Sequence, residues 1–129
     1  MTYRALLTLL VTLNAGLFSL GAAAAGDAEA GGKLFSKTCG GCHSIGENAR
    51  SGFGPHLNGV VGRQAGSLPG YQFSEAMKNS GVVWTPETLA AYIEAPKKVV
   101  KGTRMIFWGI SDPEKIANLL AYIETFKDQ

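Results

Sequence analysis

The chain has 129 residues, with twelve Lys and Arg against ten Asp and Glu and a formal net charge of +2. That length corresponds to one domain. The near balance of charge excludes the strongly basic stripe of a nucleic-acid binder, and two cysteines are too few for a disulfide framework.

Met1 to Arg4 is a short start with one positive charge, and Ala5 to Leu20 is apolar apart from Thr8, Thr12, Asn14 and Ser19. It runs into Gly21 to Gly26, small residues with A-x-A spacing, which is the pattern of a secretory signal peptide. Residues 1–25 are therefore expected to be removed after Ala25, leaving residues 26–129 as the exported domain. An uncleaved membrane anchor competes, because Ala5 to Ala25 is about long enough to cross a bilayer. Asn14, Gly16 and the alanine run make it a poor anchor. Loss of Arg4 leaves eleven basic against ten acidic residues, so the exported chain is nearly neutral.

In what remains, Asp27 is a candidate N-cap and Ala28 to roughly Cys42 reads as a first helix. Gly31 and Gly32 inside it cost about 1 kcal/mol each relative to Ala, which implies the close approach of another backbone. Ser44 to Phe73 is loop, rich in Gly and carrying Pro55 and Pro69. A small domain with so much loop needs something to fill its middle. Ser74 to Ser80 predicts a short helix, capped by Ser74 and stopped by Gly81. Thr85-Pro86 starts a further helix, with Leu89, Tyr92 and Ile93 on one face and its end before Pro96. Asp112-Pro113 starts the last one, where Ile116, Leu119, Leu120 and Ile123 keep amphipathic spacing. No stretch alternates as a strand, so the fold class is all-α with long loops.

Cys39-Gly40-Gly41-Cys42-His43 is the C-x-x-C-H signature of c-type haem attachment. Positions i, i+3 and i+4 share one face of a helix. Two thiols there can add to the two vinyl groups along one porphyrin side, and the imidazole beside them can reach the iron. A thioredoxin-type pair would use the same C-x-x-C, but needs no adjacent His and sits in a βαβ setting. A zinc site could enlist Cys39, Cys42, His43 and His56, yet adjacent Cys42 and His43 fit one tetrahedral ion poorly.

For the sixth coordination position the exported chain offers Met77 and Met105. Met77, in a short helical stretch, fits the default role of core filler. Met105 follows Gly102-Thr103-Arg104 in an extended segment where packing alone hardly demands a methionine. His/Met ligation defines an electron-transfer haem of raised potential.

Taken with Gly32-Lys33-Leu34-Phe35, Gly54-Pro55-His56-Leu57, Gly62-Arg63, Pro69-Gly70-Tyr71, Trp84, Tyr92, Pro96-Lys97-Lys98 and Gly102 to Phe107, the motif resembles class I cytochrome c of the small bacterial type. The likeness runs from Gly31 to about Phe126. It implies the class I cytochrome c fold, a few helices and long Gly-rich loops around one covalently bound haem c. It implies thioethers at Cys39 and Cys42 and iron ligation by His43 and Met105. The Pro55 carbonyl is expected to accept the second ring N–H of His43, and Arg63 and the Trp84 indole to hold a haem propionate. Tyr92 is expected near the Met105 sulfur, Thr103 to tie the loop, Phe107 to cover a haem edge, and the terminal helices to cross near Gly31. His56 is expected on the proximal side, not as a ligand. Three residues depart from the family pattern. Lys101 stands where proline is frequent before Gly-Thr, Met77 stands near a frequent asparagine, and Trp108 adds a bulky aromatic.

The expected function is a soluble monohaem electron carrier, not an enzyme, shuttling single electrons between larger redox partners in the periplasm. Membrane reductase or oxidase complexes and soluble dehydrogenases are the partner classes. Lys97, Lys98, Lys101 and Arg104 form a candidate docking patch on an otherwise near-neutral chain, which is expected to be a monomer. A haem enzyme or gas sensor with a displaceable sixth ligand is the competing class.

Overall fold

The computed structural model describes residues 25–127. Except for Ala25, the expected signal peptide lies outside them. Five helices follow in order: α1 (Ala28–Thr38), α2 (Glu75–Lys78), α3 (Pro86–Glu94), α4 (Pro96–Val99) and α5 (Pro113–Glu124). Among the described residues there is no strand, only an isolated antiparallel bridge between Gln64 and Val83.

The helix starts follow the sequence closely. The Asp27 carboxylate accepts from the N–H groups of Glu29 and Ala30 at α1. The Asp112 carboxylate does the same from Glu114 and Lys115 at α5. Thr85 and Thr88 form a reciprocal capping box at α3, with Pro86 at its first position. Each cap satisfies N–H groups that the first turn leaves without an intrahelical partner.

α1 and α5 form the frame. A Cβ on Gly31 would overlap the Asn118 carbonyl, and one on Gly32 would come 2.9 Å from the Tyr122 ring. The first glycine admits a backbone, as expected, and the second admits an aromatic ring. Gly26 likewise abuts the Ala117 carbonyl, and the Asp27 N–H donates to Asn118 Oδ1 at 2.7 Å. The chain is therefore docked onto α5 before its first helix begins. Phe35, Leu119 and Ile123 carry this contact into a core shared with Val60, Trp84, Leu89, Tyr92 and Val100.

Two elements differ from the expectation. α1 ends at Thr38 rather than near Cys42, because Gly40 and Gly41 follow its C-cap Cys39 and the N–H groups of Cys39 and Gly40 both donate to the Phe35 carbonyl. In addition, Pro96 ends α3 but starts α4, a single turn, because its fixed φ suits a first helical position.

Candidate haem-binding site

The C-x-x-C-H segment keeps helical geometry after α1 has ended. The Cys42 and His43 N–H groups both donate to the Cys39 carbonyl, at 3.0 and 2.9 Å. The i, i+3, i+4 face thus survives as one hydrogen-bonded turn. Both cysteines are free thiols, Cys39 half-buried and Cys42 exposed. Burial, and secondarily the neighbouring Cys42, pushes the Cys39 thiol up to about 11.

His43 is held from behind. Its Nδ1 lies 2.7 Å from the Pro55 carbonyl oxygen, which can only accept, so Nδ1 carries the proton. The lone pair is then on Nε2, as a metal-binding imidazole requires. Gly54 makes this possible, since a Cβ there would stand 2.6 Å from His43 Cε1 and 2.8 Å from Nδ1. The Gly54 N–H also donates to the Cys42 carbonyl at 2.9 Å, which ties the loop to the attachment turn. The donor set therefore fits a c-type haem: two thiols and an oriented imidazole on one turn. No group of three or more His, Cys, Asp and Glu side chains converges on a metal position among the described residues.

The loop beneath is stitched by bonds that have no local sequence signature. Gly46 and Asn58 pair reciprocally, N–H to Oδ1 and Nδ2–H to carbonyl, each at 2.8 Å. The Ser44 hydroxyl donates to the Arg50 carbonyl at 2.5 Å and accepts the Arg50 N–H at 2.8 Å. His56 sits in this loop, half-buried. Its N–H donates to Ser51 Oγ, and its buried Nδ1 meets no partner among the described residues.

Arg63 and Trp84, 21 positions apart, are set side by side by the backbone. The Trp84 N–H donates to the Arg63 carbonyl at 2.9 Å, and the Gly62 N–H to the Trp84 carbonyl at 2.7 Å. Trp84 is buried against Tyr92, with ring centroids 4.9 Å apart. Half-burial lowers the Arg63 pKa from its ordinary value, and Nη1 donates to the Asn58 carbonyl.

On the other side, the Tyr92 hydroxyl pairs with Thr103 Oγ1 at 2.7 Å, and the same oxygen accepts the Met105 N–H at 3.3 Å. Tyr92 therefore reaches Met105 through Thr103. Arg104 Nη2 donates to the Gln72 carbonyl at 3.0 Å, a tether between distant loops. Met105 is half-buried and packs against the core, whereas Met77 is buried within it. Phe107 is half-buried beside it.

An attachment turn that ends the first helix, an oriented imidazole, and helices with long loops but no strand among the described residues define a small all-α c-type haem protein. The family model for cytochrome c matches residues 28–127. Cytochrome c2 of Blastochloris viridis is 48% identical over 115 residues, covering 86% of this chain and 90% of its own length. Cytochrome c2 of Rhodopila globiformis is 49% identical over 107 residues, covering 83% of this chain and all of its own. The solved structure of cytochrome cH from Methylobacterium extorquens superposes with a TM-score of 0.72 at 46% identity, covering 78% of this chain and 99% of its own. The chain belongs to the cytochrome c family. It binds one covalently attached haem c and is a monohaem electron carrier.

Proposed function

We propose that Cys39 and Cys42 form the two thioether bonds, that His43 and Met105 are the axial iron ligands, and that the protein shuttles electrons without itself catalysing a reaction. The bond between His43 Nδ1 and the Pro55 carbonyl, at 2.7 Å with room made by Gly54, carries this reading. When bound, the haem supplies a one-electron Fe(III)/Fe(II) couple. The chain's own residues orient the ligands. Pro55 holds the His43 ring in one tautomer, and Thr103 with Tyr92 holds the backbone at Met105. Ligands fixed from behind do not need to move when the charge of the site changes, which keeps reorganisation small. Arg63 and Trp84, brought together at a half-buried position, are suited to hold a propionate, because a guanidinium offsets the cost of burying a carboxylate. Phe107 is suited to cover a haem edge.

In the same reading residues 1–25 direct export to the periplasm and are removed, since Gly26 already packs on α5. No helix among the described residues is long and apolar enough to cross a membrane. The carrier works as a monomer, and its partners are larger redox proteins that meet the cationic segment bearing Lys97, Lys98, Lys101 and Arg104.

Spectra and intact masses of the exported wild type and Met105→Ala test the assignment together. Both masses should start at Gly26 and include one haem, because the thioethers do not depend on the distal side. The oxidised wild type should show the weak red band of iron–thioether ligation, and the variant should lack it. Retention of the band would transfer the ligand role to Met77.

A further inference from the structure

Between Pro96 and Ile110 the chain carries Lys97, Lys98, Lys101 and Arg104 and no acidic residue. The salt bridges among the described residues lie elsewhere, at Lys33–Glu29, Lys78–Glu75 and Lys115–Asp112. Among the described residues no carboxylate pairs with the cations of this segment. In its middle stand the two most exposed large apolar side chains of the described residues, Ile106 at 82% and Trp108 at 95%. Lys97 Nζ lies 5.8 Å from the centre of the Trp108 ring, within cation–π range. Lys97, Met105, Phe107 and Trp108 line one groove of about 440 Å³.

Nothing in the fold requires an indole at position 108, because burial contributes almost nothing there. A tryptophan in water instead holds a large apolar area that only a partner can cover. The surrounding charge says which partner. Two copies of this chain would bring like-charged surfaces together, whereas an acidic rim around an apolar pocket complements both parts of the surface. We propose that Trp108 is the apolar anchor by which this carrier docks, its indole entering a pocket on an acidic-rimmed redox protein and its orientation preset by Lys97. The proposal rests on the cationic distal segment being the docking face. The two parts have separable roles. The cations accelerate encounter and make it salt-dependent, while the anchor lengthens the life of the complex.

The test uses ferrous holoprotein, matched for covalent haem content, and washed membranes of the source organism as oxidant over a range of ionic strength. Trp108→Ala should raise KM about tenfold at every salt concentration, the size expected of an interface anchor. Trp108→Phe should recover more than half of the loss. Lys97→Gln should raise KM in the wild type but much less in the Trp108→Ala background, since its contribution through the indole is then gone. The pair Lys98→Gln with Lys101→Gln should instead flatten the salt dependence. A KM for Trp108→Ala within about twofold of the wild type overturns the anchor. In that event, a flattened salt dependence in the lysine pair keeps the docking face, and an unaltered one removes it as well. Sedimentation showing a dimer that Trp108→Ala dissolves would assign the surface to a second copy and overturn the proposal.

Discussion

The two sides of the candidate haem site are built in different ways. On the proximal side the attachment turn and the His43 ring are held by short bonds to backbone groups. The His43 N–H donates to the Cys39 carbonyl, the ring donates to the Pro55 carbonyl, and the ring occupies the space that a side chain at position 54 would need. On the distal side Met105 stands in an irregular run from Thr103 to Ser111, outside any helix and with Gly109 at φ +99°. Around Met105 it is held by the 3.3 Å bond to Thr103, the Tyr92–Thr103 pair and the Arg104 tether to Gln72, and toward its ends by the Thr103 N–H on the Val100 carbonyl and the Ile110 N–H on the Ile93 carbonyl. The same run presents Ile106 and Trp108 to solvent. In the proposed reading this segment both ligates and meets a partner, so it cannot be sunk into the core, and Met105 rests on a few hydrogen bonds. The contrast implies that the proximal side fails by losing the fold, and the distal side by exchanging a ligand.

The strongest way to break that contrast is Gly54→Ala. The new Cβ meets the His43 ring at 2.6 Å and the Cys42 carbonyl at 3.1 Å. Neither can withdraw without breaking the turn. Denaturant titration of the holoprotein should show a loss of about 1–3 kcal/mol, the cost of overpacking a tight site. Stability equal to wild type would mean that the proximal loop yields as easily as the distal one.

Tyr92→Phe probes the distal side alone. Removing the hydroxyl deletes its bond to Thr103 and should cost about 1 kcal/mol at neutral pH. Burial raises the Tyr92 pKa, so the fold favours the neutral phenol. Its stabilisation is complete below the unfolded value of about 10 and declines as pH rises toward the raised folded value. The gap between wild type and variant should therefore narrow above about pH 10. A gap that widens there would contradict the burial argument.

The smallest effect expected is a gain. The Thr103 N–H donates to the Val100 carbonyl at 3.0 Å, and Gly102 has φ +91°. These make Lys101 and Gly102 the middle of a type II turn, whose first central position favours proline. Lys101→Pro should stabilise by roughly 0.4–1 kcal/mol. It also stiffens the turn two residues before Thr103 and takes an amine away from Met105, so, with Met105 as the proposed ligand, the red band should persist to higher pH. A lower transition pH would show that Lys101 was holding the loop, not loosening it.

The outcome for α1 shows how far local reading reaches. Asp27, Thr85 and Asp112 announce their helices because a cap satisfies N–H groups two or three residues away, and such bonds are written in adjacent letters. The end of α1 was less legible. The spacing of Cys39, Cys42 and His43 reads as continuous helix, yet Gly40 and Gly41 release it into a separate turn. Pro96 was legible as a stop and not as the start of α4, since a proline suits both and only its neighbours decide.

By itself the sequence determined the all-α class, the C-x-x-C-H motif at Cys39-Gly40-Gly41-Cys42-His43 and the helix starts, because each depends on groups within one turn of one another. Tertiary structure alone decided what lies behind them. Gly54 proved to be the space for an imidazole, the Arg63–Trp84 pairing, expected only from the family resemblance, proved to rest on backbone bonds at Gly62, Arg63 and Trp84, and Tyr92 proved to reach the Met105 backbone through Thr103. It also left Trp108 uncovered beside unpaired cations. The long-range bonds of the fold run from Tyr92 with Thr103, 11 positions apart, to Asp27 with Asn118, 91 positions apart. Their loop-closure cost is met only when the whole core assembles, and no short window of sequence records that event.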